Sequence, residues 1–124
     1  MRILIFLLLI AAATSGCYYD SEEYLYPSVN TNCDTANVTF ARSVKPILQQ
    51  SCFSCHGNGT AASFGNNIKL EDHADVKAQA DNGKLYGAIA QLSGYSPMPK
   101  GGGKLDDCKI NTIKIWIDAN APNN

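Results

Sequence analysis

Apolar residues are spread along the chain in three different ways, and each predicts a different kind of segment. The first is an unbroken run, Ile3 to Ala13, preceded by Arg2 and followed by the small residues Thr14-Ser15-Gly16. A charged start, a short apolar centre and a small-residue exit are the layout of a secretory signal peptide. The run falls short of the roughly 20 apolar residues that span a bilayer. Residues 1–16 are therefore set apart from the fold. Residues 17–37 hold four of the six tyrosines together with Pro27, Asn30, Asn32 and Asn37, and show neither helical nor strand periodicity. They predict a leader, within which Tyr24, Leu25 and Tyr26 could pack onto the domain.

The third kind begins at Thr39. Phe40, Val44, Ile47 and Leu48 fall at i, i+4, i+7 and i+8, one face of a helix. Pro46 is tolerated only in a first turn, so the regular helix is expected to start near Ser43 or Val44, with Phe40 in a preceding turn, and to run to about Cys52. Residues 57–67, rich in Gly, Asn, Ala and Ser, read as loop. A short helix capped by Glu71 or Asp72 should reach Ala80 and stop at Asp81-Asn82-Gly83, with another over 84–92. The stretch 94–103, with Pro97, Pro99 and three consecutive glycines, excludes regular structure. The last helix is the clearest: Asp106 or Asp107 as N-cap, the stripe Ile110, Ile113, Trp116 and Ile117, and a stop at Asn120 and Pro122. No segment carries a strand signal. The expected class is all-α with long loops, over a single domain of residues 38–124.

Charge adds little. The chain has ten basic and eleven acidic residues, and removal of residues 1–16 takes away only Arg2. Residues 35–124 hold nine basic against seven acidic groups, a mild excess without the dense basic stripe of a nucleic-acid-binding surface. The ending Ser15-Gly16-Cys17 resembles a bacterial lipobox, which implies lipidation of Cys17 and an exported protein anchored to a membrane. Thr14 departs from that pattern, and ordinary cleavage after Ala13 would leave Cys17 a free thiol.

The chemistry is concentrated in Cys52-Phe53-Ser54-Cys55-His56. Two cysteines three positions apart can form thioethers with the adjacent vinyl groups of a haem, and the following histidine is then placed to ligate its iron. The same spacing serves a redox dithiol or half of a zinc site. A thioredoxin-like dithiol is expected at a strand-to-helix junction, and no strand precedes Cys52. A zinc site would take two further ligands from Cys33, His56, His73 and Cys108. Export favours haem.

Met98 is the one methionine left after residues 1–16 and lies between two prolines. A lone methionine is ordinarily core filling. The flanking prolines and glycines suit instead a stiff strap that delivers one side chain across a cofactor. His73, at a helix start among Glu71, Asp72 and Asp75, is the rival sixth ligand and reads as a solvated surface histidine.

From Phe40 to Pro122 the chain resembles the class I monohaem c-type cytochromes, especially small bacterial ones. The residues that carry the likeness are Val44-Lys45-Pro46-Ile47-Leu48, Cys52 to His56, Gly83 to Ile89, Met98-Pro99 and Ile110 to Ile117. The resemblance implies N- and C-terminal helices crossing near one covalently bound haem c, attached through Cys52 and Cys55 and coordinated by His56 and Met98. Asn120 stands where relatives often have Gly, which a left-handed cap tolerates.

With Cys17 lipidated and two cysteines on haem, Cys33 and Cys108 remain and are expected to form a disulfide in an oxidising compartment. His/Met ligation predicts a relatively high-potential couple, and two filled axial positions predict a carrier rather than an enzyme. Lys100, Lys104, Lys109 and Lys114 are candidates for a rim that docks an acidic redox partner, such as an oxidase, reductase, dehydrogenase or another cytochrome. Three functions follow as expectations: an electron shuttle tethered in the periplasm or cell envelope, a haem subunit docked on a dehydrogenase, and a zinc-stabilised surface lipoprotein.

Overall fold

A computed structural model describes residues 33–124. These residues are helical, with no strand among them. The chain opens with a wide π-helical turn, Phe40–Val44, and continues through α1 (Lys45–Ser51), α2 (Phe53–His56), α3 (Ala61–Phe64), α4 (His73–Asp81), α5 (Lys84–Ile89) and α6 (Asp107–Asp118). No helix among the described residues is long and apolar enough to cross a membrane.

The start of the first helix follows from Thr39, Ser43 and Pro46. The Thr39 hydroxyl accepts from the main-chain N–H of Arg42 at 3.2 Å, while Ser43 Oγ accepts from Thr39 N–H at 3.2 Å, a reciprocal cap. Pro46 sits in the first turn of α1. In a regular α-turn its ring would meet the carbonyl four residues earlier, and the wide turn ahead of it, in which Lys45 N–H reaches the carbonyl of Phe40, relieves that contact. The expected helix start is thereby met, with Phe40 in the preceding turn.

Val44, Leu48, Val76, Ile113 and Trp116 are fully buried, so the core joins the first helical segment, α4 and α6. The rings of Phe40 and Trp116 lie 5.5 Å apart, and His73 meets both edge-on, at 4.9 and 5.9 Å. Its Nε2 faces the carbonyl of Ala121 at 2.9 Å. The solvated surface histidine expected at this position is thus corrected: His73 is half-buried and packs between two aromatic rings. Residues 120–124 complete this end of the fold. Trp116 Nε1 donates to the carbonyl of Pro122 at 2.8 Å, and Asn124 accepts from the main-chain N–H groups of Phe40 and Ala41 at 2.8 and 3.0 Å. These bonds satisfy donors that a helix start leaves open. Asn120 adopts the left-handed conformation (φ 69°), as its place after the helix predicts.

Three local expectations change. The stretch 57–67 holds one helical turn, α3, built from the bonds Ala61 N to Gly57 O and Phe64 N to Thr60 O rather than from any apolar period. Asp72 occupies the N-cap position of α4 without capping it. Its carboxylate accepts from Asn58 Nδ2 at 2.9 Å, and Glu71 accepts from Asn58 N–H at 2.7 Å, so both acids secure the loop after α2. The helix expected over 84–92 ends at Ile89, three residues early. Asp106 does cap α6, accepting from Lys109 N–H at 2.9 Å.

Candidate cofactor site

Cys52 interrupts the passage from α1 to α2 (φ −128°, ψ −33°), and α2 carries Cys55 and His56. Cysteines at i and i+3 share a side of a helical turn. The carbonyls of this one-turn helix are held from outside: Thr60 Oγ1 donates to Phe53 O at 3.0 Å, and Leu70 N–H donates to His56 O at 2.8 Å. The same segment fixes the imidazole. His56 Nδ1 lies 2.9 Å from the carbonyl of Ile68, which can only accept, so Nδ1 carries the proton and Nε2 keeps its lone pair. That is the arrangement of a metal-binding histidine with its outer hydrogen bond in place. Gly65 lets the loop come this close. A Cβ at that position would stand 2.5 Å from the Cys55 carbonyl and 2.9 Å from His56 Nδ1.

Cys52, Cys55, His56 and Met98 all line one cleft of about 630 Å³. That volume falls within the roughly 300–1,000 Å³ of sites for cofactors and similarly sized ligands. Leu70, Leu85 and Ile89 form its apolar base, while Phe64, 73% exposed, and Tyr95, 40% exposed, stand open on its walls. Large apolar side chains left in the open beside convergent polar groups mark a binding surface. Burial, with the neighbouring Cys55 adding, pushes the Cys52 thiol up to about 11, so it is protonated at neutral pH. A redox dithiol needs one of its two thiols pushed down toward thiolate, and Cys52 is not that thiol. The donor set is two thiols, an imidazole with a free Nε2 and a thioether around an apolar slot. Such a set could hold a metal-bearing cofactor in the cleft.

Cys33 and Cys108 form a disulfide, with Cα atoms 5.6 Å apart. His73 does not line the cleft, and its Nε2 faces Ala121. The four-donor zinc set is therefore not assembled: of the further ligands considered for it, only His56 adjoins Cys52 and Cys55. No group of three or more His, Cys, Asp or Glu placed to hold a metal ion occurs among the described residues. Cys17, the signal segment and most of the leader lie outside the described residues.

The four lysines expected to form a docking rim divide between surface ion pairs and the cleft. Lys104 pairs with Asp107 at 3.8 Å, Lys109 with Asp106 at 3.0 Å, and Lys114 with Asp118. Lys100 lines the cleft, joined there by Lys84, which sequence reasoning passed over. Ile68, Gly65, Gly87 and Tyr95 were likewise not anticipated. The position of Gly87 within an otherwise helix-forming stretch was the one signal available.

No family model, no curated protein and no solved structure matches the chain.

Proposed function

We propose that this domain binds one haem c covalently and carries single electrons as a c-type cytochrome of the cell envelope, tethered through a lipid on Cys17. The observation that supports the reading is that the contiguous motif Cys52 to His56 and the distant Met98 line one apolar cleft. Cys52 and Cys55 would hold the haem by thioethers, and His56, through Nε2, and Met98 would ligate its iron. When bound, haem supplies a one-electron couple. The chain's own part is to orient and shield. The Ile68 carbonyl sets the tautomer of His56, and the apolar base formed by Leu70, Leu85 and Ile89 lowers the local dielectric. A thioether ligand raises the reduction potential relative to a second imidazole. Two side-chain ligands leave no coordination position for oxygen or peroxide, which makes the protein a carrier rather than an enzyme. Its partner is then another redox protein.

The test is a redox titration of the full chain, exported by cells that mature c-type haem. A single one-electron couple is expected, with the far-red charge-transfer band of methionine-ligated ferric haem. Met98→His should abolish that band and lower the midpoint, within the roughly 0.8 V that axial ligands span. A purified protein that carries zinc and no haem would end the reading.

A further inference from the structure

The segment that bears Met98 is tied back to α5 at one place. After α5 the chain reverses through Gln91 and Gly94, both in the left-handed region (φ 57° and 89°). Main-chain bonds then fold it onto the helix just left, Leu92 N–H to Gly87 O at 2.9 Å and Met98 N–H to Ala88 O at 3.1 Å, with a local turn between them from Tyr95 N–H to Leu92 O at 3.2 Å. Beyond Met98, the one main-chain bond among the described residues before α6 is the local turn from Gly102 N–H to Pro99 O.

Tyr95 lies at the centre of this attachment. A Cβ built on Gly87 would stand 2.5–2.6 Å from Cγ, Cδ1 and Cδ2 of Tyr95, so the ring rests with its face on the bare backbone of the helix. Its hydroxyl reaches toward Gly83, where a Cβ would lie 3.4 Å away. Gly87 is buried within α5, a place where alanine would favour the helix more. The seat for Tyr95 is what glycine provides there, and the Ala88 carbonyl that receives Met98 N–H is the next residue along.

We propose that Tyr95, seated on Gly87, is the positioning residue that holds Met98 in the cleft as the second iron ligand. The inference rests on the haem reading above and adds a latch to it. Gly87→Ala fills the seat and drives the ring off, while leaving α5 at least as helical. The strap then loses its side-chain contact, and the bond from Met98 to Ala88 is left without support.

The test uses the full, haem-matured chain and its Gly87→Ala, Tyr95→Ala and Tyr95→Phe variants and the Ala/Ala double variant. Haem-stained gels, the far-red band, the midpoint potential and hydrogen exchange at the Met98 amide are followed. The expected result is unchanged haem staining throughout. The far-red band, the wild-type potential and Met98 amide protection should be lost in Gly87→Ala and Tyr95→Ala and kept in Tyr95→Phe. The double variant should be no worse than Tyr95→Ala, because the two residues act through one contact. A Gly87→Ala protein with full band, wild-type potential and a protected Met98 amide overturns the latch and leaves the haem reading intact. A wild-type chain without haem stain overturns the haem reading itself, and the latch as a ligand-positioning device with it.

Discussion

The ring of His56 and the main-chain carbonyl of Ile68 are joined by a hydrogen bond of 2.9 Å, and this bond determines which imidazole nitrogen is free to bind a metal. It depends on the loop after α3 lying flush against α2, where Gly65 leaves no room for a side chain.

Gly65→Ala should therefore disturb the site and the fold together. The new methyl would meet the Cys55 carbonyl and His56 Nδ1, and overpacking of this kind costs about 1–3 kcal/mol. Thermal denaturation of the haem-loaded protein should show that loss, with an altered Soret band as the imidazole turns. A variant with unchanged spectrum and melting point would mean that the loop can yield without moving His56.

The disulfide between Cys33 and Cys108 closes a separation of 75 residues. For a loop of that length the chain-entropy estimate is roughly 4 kcal/mol, and haem links within the loop would lower it. Replacing both cysteines with serine should reduce stability by about 2–4 kcal/mol in denaturant titrations. Reductant should then have no further effect on the variant, whereas it should destabilise the wild type. Two alkylatable thiols beyond the haem in denatured, unreduced wild type would contradict the bond.

Asp106 links pH to stability. The main-chain N–H of Lys109 does most to hold its carboxyl below the ordinary 3.8, the Lys109 ammonium adds to this, and partial burial opposes it. A carboxyl lowered in the folded state contributes stability that is present above its unfolded pKa and lost as pH falls through the folded one. Asp106→Ala should cost about 1 kcal/mol near neutral pH. The charge-dependent part of that difference should disappear below 3.8, as melting curves recorded across that range would show. A difference independent of pH would assign the cap entirely to geometry.

Much of this structure was legible in advance, and the parts that were not share a cause. The stripes Phe40/Val44/Leu48 and Ile110/Ile113/Trp116 announced the two helical segments that build the core, and Pro46 marked where the first becomes regular. The four cleft side chains were found from the spacing of Cys52, Cys55 and His56 and from the isolation of Met98 between prolines. The surroundings of His73 were not legible. Its sequence neighbours are acidic, and nothing near it records the distant Phe40 and Trp116 rings. The Ile68 carbonyl is a main-chain acceptor, which no pattern of side chains reveals. α3 is a single turn closed by local bonds, too short for a period. By contrast, the Lys114–Asp118 pair stood in the sequence at i, i+4, a spacing at which such pairs form on a helix face.

Covalent attachment at Cys52 and Cys55 is the centre of the account, and a reducing, denaturing gel stained for haem tests it most directly. The full chain, exported by cells that mature c-type haem, should stain at its own band, and the Cys52→Ser/Cys55→Ser variant should not. A full-yield wild-type band without stain, with both thiols open to alkylation, would contradict it.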